Sequence, residues 1–109
     1  MNINTEALKE YIKGFNTIKA ANVQERNELL KILEKECGFK IGFNPTSYPG
    51  HLYVSLGEAD KTRIHCGYGA PIYENSRVIN YSDLESLFPD EDYSDEFLAS
   101  LPDIRELLF

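Results

Sequence analysis

The stretch LYVSLGEADKTRIHCGY, residues 52–68, alternates apolar and polar side chains on both sides of a short turn. The turn is GEADK, and the apolar residues on its two sides are Leu52, Val54 and Leu56, then Ile64, Cys66 and Tyr68. A period of two is typical of strands that bury one face and expose the other. The stretch therefore predicts an antiparallel hairpin at the centre of the fold.

The alternation continues outside the hairpin. Residues 39–43 place Phe39, Ile41 and Phe43 in one phase, and a weaker strand is predicted at 77–80. GYGAP, residues 67–71, superficially resembles a phosphate loop, but a proline without an N–H and then strand-like sequence follow its glycines, so it predicts a turn. Together these segments predict a three- to four-stranded antiparallel sheet.

Apolar residues at helical spacing predict helices on both sides of the sheet segments. The two N-terminal helices span 5–15, with Asn4 or Thr5 as cap, and 23–37, with Asn22 as cap and Gly38 just past the end. Further on, Ser82 opens a capping-box pattern before Pro89, and Ser94 is placed to cap another short helix. The predicted fold is α+β: two N-terminal helices, the sheet and short C-terminal helices, in one domain of residues 1–109.

The net charge of −7 is concentrated near the C-terminus. Residues 1–82 hold ten Lys/Arg and nine Asp/Glu, a net +1, whereas residues 83–109 hold nine acids against Arg105 alone, a net −8. Such a concentration of negative charge disfavours direct binding to nucleic acid or anionic membrane, because binding to either one needs Lys and Arg side chains. The N-terminal residues contain acids and no long apolar run, which predicts a cytoplasmic protein.

Two cysteines and two histidines raise the question of a metal site. Zinc sites use closely spaced pairs of ligands, whereas here Cys37 and His51 are far apart and His65 and Cys66 are adjacent. Adjacent residues on a strand point to opposite faces, so His65 and Cys66 do not suit one ion. The acidic stretch also lacks the glycine and the closing glutamate of an EF-hand loop. We expect no metal, no cofactor and two reduced thiols.

The polar phase of the hairpin is a candidate surface site made of His51, Tyr53, Arg63 and His65. Histidine beside tyrosine or arginine is suited to acid–base chemistry or to ligand binding. No set of nucleophile, base and orienting group accompanies them in the sequence. A small enzyme or ligand-binding domain that uses this face is therefore an alternative, and no catalytic residue is assigned.

FPDEDYSDEF, residues 88–97, mixes five carboxylates with aromatic rings, which suits a contact with a basic protein surface. Charge would set the association rate and rings would act as anchors. The candidate partner-binding residues are Asp90, Glu91, Asp92, Tyr93, Asp95, Glu96 and Phe97. A solvated surface that keeps the protein soluble is the alternative, and it explains some negative charge but explains a local excess of eight less well, because like charges repel.

The leading hypothesis is a small, acidic, non-catalytic protein that binds a basic protein site, such as the nucleic-acid channel of an enzyme. A folded polyanion can occupy such a channel as a nucleic-acid mimic, because the channel is built to neutralise phosphates. Anti-CRISPR and anti-restriction inhibitors from phages and mobile elements work by this logic, which is a physical analogy carried by no motif. An antitoxin or immunity protein would show the same features.

Overall fold

The computed structural model describes residues 3–58 and 60–89, which form α-helices, strands and two 3-10 turns. In chain order the elements are α1 (Thr5–Lys13), β1 (Thr17–Lys19), α2 (Val23–Lys35), β2 (Lys40–Ile41), a 3-10 turn (Pro45–Ser47), β3 (Tyr53–Leu56), β4 (Arg63–Gly67), β5 (Val78–Asn80), a second 3-10 turn (Tyr81–Asp83) and α3 (Leu84–Leu87). The fold is α+β, as the sequence predicts.

The predicted helix caps are confirmed. The Asn4 side chain accepts a hydrogen bond from the backbone N–H of Ala7 at 3.1 Å, and Asn22 accepts one from that of Glu25 at 2.9 Å. Both satisfy N–H groups that a helix start leaves without a partner. Gly38 has a φ of 79°, a left-handed conformation that glycine adopts most easily. The helices end at Lys13 and Lys35, two residues earlier than predicted.

The sheet is mixed, so the predicted antiparallel sheet is wrong. The hairpin itself forms, since β3 and β4 are antiparallel with Val54 opposite Cys66. However, β2 is parallel to β4, β1 is parallel to β5, and the order across the sheet is β2-β4-β3-β1-β5. A period-two pattern shows which residues can form strands but not which strands become neighbours, and here the strand order does not follow the chain order.

The two N-terminal helices do not form a consecutive pair, because β1 lies between them. Its three residues pair with β3 on one side and β5 on the other, which places Ile18 on an interior strand of the sheet. Ile18 is fully buried. Three residues are too few to show a period, and this explains why the sequence pattern did not reveal the strand.

The hydrophobic core joins residues of all three helices to residues of the sheet. Its fully buried side chains include Leu8 and Ile12 from α1, Leu29 and Leu33 from α2, Leu84 from α3, and Ile18, Val54, Leu56, Ile64 and Ile79 from the strands. The opposite phase of β3 and β4 carries polar side chains. Burial is not confined to one face, however, because Ser55 in this polar phase is fully buried and Tyr53 and His65 are half-buried.

The chain just before the acidic stretch is anchored to the start of the molecule. Phe88 is fully buried, its ring centroid is 5.6 Å from that of Tyr11, and its carbonyl accepts a 2.8 Å hydrogen bond from the Asn4 N–H. Pro89 forms a β-bridge with Ile3. The described chain therefore ends, at Pro89, beside the N-terminus of α1.

The predicted capping box is wrong in detail. Ser82 lies inside the 3-10 turn Tyr81–Asp83, so its side chain is not at the start of α3, and Asp83 makes no side-chain capping bond. The short helix does end before Pro89, as predicted. The helix predicted after Ser94 lies outside the described residues.

Phe15 follows α1 with an unusual backbone. Its φ is 60°, in the left-handed region, whereas the preceding Gly14 has a φ of −80°. A bulky residue in this region costs about 1–3 kcal/mol, so surrounding contacts must hold it there. The Phe15 ring has such contacts, with the Tyr73 ring at 5.2 Å and the Lys61 ammonium at 5.4 Å.

None of the helices in residues 3–58 and 60–89 combines the length and the apolar character needed to cross a bilayer.

Candidate functional site

The hairpin places Tyr53, Arg63 and His65, three of the four predicted surface residues, in one phase. Tyr53 is opposite Gly67 and Ser55 is opposite His65, so Tyr53, Ser55 and His65 share the face turned away from Val54 and Cys66. Arg63 has the same phase but is exposed at the other end of β4, where it pairs with Asp60 at 3.1 Å. Tyr53 lies below the Lys19 ammonium, 5.6 Å from its ring centroid.

His51 lies in the loop before β3 and meets His65 at a cleft of about 500 Å³. We call this the His51 cleft, and its lining residues are Gly42, Phe43, Asn44, Ser47, Tyr48, His51, His65 and Cys66. Tyr53 and Arg63 are absent from this lining. The structure thus brings the two histidines to one site and leaves the other two predicted residues outside it.

His65 and Cys66 border the same cleft although neighbouring residues on a strand point to opposite faces. The reason is the short edge strand. β2 ends at Ile41, which pairs with Ile64, whereas β4 continues to Gly67. The far half of β4 therefore lies beside the loop that follows β2, and the cleft opens there onto both faces of β4.

Arg26 of α2 holds the wall of the His51 cleft in place. The side chain is fully buried, and its guanidinium donates hydrogen bonds to the carbonyl oxygens of Pro45, Tyr48 and His51 and to the side chain of Asn27. The bonds to Pro45 and His51 measure 2.8 and 3.2 Å. Three carbonyl groups of one loop thus accept hydrogen bonds from the same planar guanidinium group, which fixes the loop conformation.

Aromatic rings form much of the wall. The His51 ring meets Tyr48 edge-on at 4.9 Å and Tyr68 at 5.2 Å, and Tyr48 meets Phe43 at 6.1 Å. The Nδ1 atom of His51 is buried and has no hydrogen-bond partner among the described residues. A buried polar atom without a partner is unfavourable by about 1–3 kcal/mol. Because the atom is itself inaccessible, a ligand in the cleft would reach it only if the His51 ring turned.

The His65 ring lies between two glycines of the neighbouring chain segments. A Cβ on Gly42 would come within 2.5 Å of Nε2, and a Cβ on Gly57 would come within 2.5 Å of Cδ2. Neither glycine has a positive φ, so neither is required by the backbone. The imidazole is the nearest obstacle to a side chain at both positions, although a Cβ would also come within 3.0 Å of the Ile64 carbonyl oxygen at Gly42 and within 3.3 Å of the Asp60 carbonyl oxygen at Gly57.

Cys66 and Ser55 do not have the chemistry of activated nucleophiles. Burial raises the pKa of the Cys66 thiol to about 11, although the nearby Arg26 cation acts in the opposite direction. The thiol is therefore protonated near neutral pH, and a thiol is a poor nucleophile. Ser55 lies opposite His65, but it is fully buried and its Oγ has no hydrogen-bond partner among the described residues. The cleft is better suited to binding than to nucleophilic attack.

The predicted partner-binding residues Asp90, Glu91, Asp92, Tyr93, Asp95, Glu96 and Phe97 all lie outside the described residues. In the part that is described, no group of three or more His, Cys, Asp or Glu side chains could hold a metal ion. Cys37 and Cys66 are free thiols. Burial raises the pKa of Cys37 to about 11 as well.

Sequence reasoning missed the residues that shape the His51 cleft. Arg26 carried a usable signal, because it lies three, four and seven residues before Leu29, Leu30 and Leu33 and so belongs to the apolar stripe of α2. A charged residue in such a stripe is buried only with partners. Gly42 and Gly57 gave no comparable signal, because their role depends on which strands become neighbours.

Comparison with known proteins adds no family to this description: no protein-family model, no curated protein and no solved structure matches the chain.

Proposed function

We propose that the protein acts without catalysis, by binding a protein partner that presents a basic surface. The observation that carries the proposal is the separation of charge: a net +1 over residues 1–82 against a net −8 over residues 83–109. Like charges held close together oppose folding, so solubility alone is a weak reason to collect them in one quarter of the chain. Binding to a cationic partner explains why so many acidic residues are concentrated in this part of the chain.

The fold supports this proposal by what it does just before the acidic stretch. Phe88 and Pro89 are tied to Asn4 and Ile3, so the described chain ends at a fixed point of the folded body, directly before the acids of 90–96 in the sequence. A charged segment attached at a fixed point loses less conformational entropy on binding than one attached through a long free linker. The basic nucleic-acid site of an enzyme is the partner surface whose chemistry fits best.

A capture experiment tests the proposal. The tagged full-length protein is incubated with native lysate at about 50 mM and about 500 mM salt, and the species that co-purify are identified. We expect a basic protein that is captured at low salt and lost at high salt, because screening weakens contacts between exposed charges. The variant with Asp90, Glu91, Asp92, Asp95 and Glu96 changed to Asn or Gln should lose the same species.

A matched variant separates a specific surface from total charge. Neutralising five exposed acids in the described helices or at their caps changes the net charge equally, and the set is Glu6, Glu10, Glu34, Glu36 and Glu85. This variant should retain the partner. Equal loss of the partner in both variants would mean that net charge alone is responsible, and the proposal of a binding segment would fail.

The second candidate function is binding of a small ligand in the His51 cleft. It is favoured by the cleft lining, which brings both histidines together, and by the loop that Arg26 holds in place. The two candidates respond to opposite changes. A protein-binding segment should be indifferent to His51→Ala and His65→Ala, whereas a ligand site should lose affinity with these changes and be unaffected when the acids of 90–96 are neutralised.

A further inference from the structure

A second cleft, of about 580 Å³, lies at the end of α1, away from the His51 cleft. We call it the Phe15 cleft. Its lining residues are Gly14, Phe15, Asn16, Glu58, Ile72, Tyr73, Glu74, Asn75 and Ser76. Among these described residues are two carboxylates and no basic side chain, and Ile72 is 41% exposed. The lining thus combines aromatic and apolar surface with negative charge.

Two rings form the aromatic part of this cleft, and both are held in place. Phe15 and Tyr73 meet edge-on at 5.2 Å and 75°. The Tyr73 hydroxyl donates a 2.7 Å hydrogen bond to the Leu56 carbonyl, which ties the loop after β4 to β3. Phe15 keeps its ring there in a left-handed backbone conformation that a glycine would adopt more easily. Such strain persists only where surrounding structure maintains it.

A cation already contacts the ring of Phe15. The Lys61 ammonium lies 5.4 Å from the ring centroid, within the distance over which a cation is attracted to an aromatic face. Lys61 is exposed and comes from the turn between β3 and β4. The contact between Lys61 and Phe15 therefore shows that an ammonium group can lie against this ring.

We propose that the Phe15 cleft receives a lysine side chain of the basic partner, with its ammonium against the Phe15 ring near Glu58, where it competes with Lys61 for that ring. This inference rests on the proposed function, because it supposes a basic partner. It adds a defined contact in the folded body to the acidic segment. Rings with adjacent carboxylates are the surroundings that proteins use to bind ammonium groups.

The test is an NMR titration of the full-length protein with tetralysine, in which the ring protons of Phe15 and Tyr73 are followed. Tetralysine with acetylated side chains, which lacks the charge, is the control probe. We expect saturable shifts of both rings with tetralysine and none with the acetylated peptide. Reading the shifts at these two rings separates the cleft from any binding of the peptide to the acidic segment.

A variant without the Lys61 ammonium tests whether that group competes with the peptide for the Phe15 ring. Lys61→Met should tighten the titration followed at Phe15 by about two- to fivefold, the value of an exposed cation–π contact that no longer has to be displaced. Lys35→Met changes the net charge equally from an exposed position on α2 and should leave that titration within about 1.5-fold of the wild type. Glu58→Gln should weaken it.

The outcomes distinguish this inference from the proposed function. If the Phe15 and Tyr73 rings do not shift, or if Lys61→Met and Lys35→Met behave alike, the Phe15 cleft is not a lysine site, whatever neutralisation of residues 90–96 does to partner capture. If the rings titrate as expected while neutralisation of residues 90–96 leaves capture intact, the cleft stands and the acidic segment is not the binding surface.

Discussion

Arg26 illustrates how one residue can determine the shape of a site. A buried charge is tolerated only when hydrogen bonds replace the water it has lost. Here the replacements are carbonyl groups, and those of Pro45, Tyr48 and His51 all belong to the loop that walls the His51 cleft. The same bonds that satisfy the guanidinium therefore hold the loop, so stability and cleft shape depend on the same atoms.

Replacing Arg26 with Lys should destabilise the protein. An ammonium cannot reproduce the planar fork, so carbonyls that now accept hydrogen bonds would remain buried without donors. We expect a loss of about 2–4 kcal/mol in the free energy of unfolding, measured by urea denaturation. Lys31→Met, at an exposed position on the same helix, should change it by less than about 0.5 kcal/mol. Equal stability of wild type and Arg26→Lys would contradict this account of the loop.

The His65 ring and its two glycines form the second residue-scale unit. Gly57→Ala places a methyl group against Cδ2, and the ring cannot retreat freely because Gly42 lies on its other side. We expect a loss of about 1–3 kcal/mol, typical of overpacking. In a His65→Ala background the same change should be nearly neutral, so a double-mutant cycle should show a coupling of about 1 kcal/mol or more.

Gly50→Ala is the control for this cycle. The added Cβ would meet the Tyr68 ring at 2.8 Å, but that ring is 73% exposed and free to turn away. Its effect should be small. If Gly57→Ala and His65→Ala are simply additive, the glycines are not there to accommodate the imidazole.

At the scale of elements, the sequence predicted local features well and pairing poorly. Asn4, Asn22 and Gly38 have roles that depend only on the adjoining turn of helix, and all three are confirmed. The pairing of Thr17 with Val78 joins residues 61 positions apart and makes β1 a central strand. Nothing local to a three-residue strand specifies such a partner, which is why the mixed sheet and the Phe15 cleft beside it could not be predicted.

A hydrogen bond between Tyr81 and Glu28 joins the 3-10 turn after β5 to α2, with a length of 3.0 Å. Burial first, and then this bond and the Glu28 charge, raise the pKa of Tyr81 to about 12. A raised pKa means that folding favours the neutral phenol. Its contribution to stability is complete below the unfolded pKa of about 10 and is lost as the pH rises toward 12.

Tyr81→Phe should therefore be less stable than the wild type at pH 8, by about 1–2 kcal/mol for a hydrogen bond to a charged acceptor. The difference between the two proteins should shrink as the pH is raised through 10 and toward 12. Urea denaturation of both proteins at several pH values measures it. Tyr68→Phe, at an exposed ring, should show no such difference. A gap that is constant across this pH range would mean that the bond does not link Tyr81 ionisation to folding.

At the scale of the whole molecule, most of the net negative charge lies after residue 89 in the sequence. The described body, residues 3–58 and 60–89, carries ten Lys/Arg and eleven Asp/Glu, a net −1 if all are charged. The remaining excess of the chain's −7 falls on residues outside the described ranges, of which Arg105 is the single base against seven acids. The position of this charge can be read from the sequence, because charge is additive along a chain, whereas partner binding by residues 90–97 stays a prediction. The geometry of these residues could not be predicted from the sequence.

The last prediction concerns how this charge acts once a partner is identified. Exposed ion pairs contribute only about 0–1 kcal/mol each, so no single change among Asp90, Glu91, Asp92, Asp95 and Glu96 should abolish binding. Changing all five to Lys should instead lower the association rate constant by about tenfold or more, because long-range attraction speeds the encounter of the two proteins. Raising the salt concentration should slow the wild type in the same way, since the Debye length falls from about 10 Å at 0.1 M to about 3 Å at 1 M.

Tyr93→Ala should act on the other rate constant. If the ring is a buried anchor at the contact, its removal speeds dissociation and leaves association nearly unchanged, because short-range packing forms after the encounter. Surface plasmon resonance at two salt concentrations resolves both rate constants for each variant. An association rate that is unaffected by the fivefold reversal and by salt would exclude electrostatic attraction as the basis of binding, and the His51 cleft would then be the surface to test next.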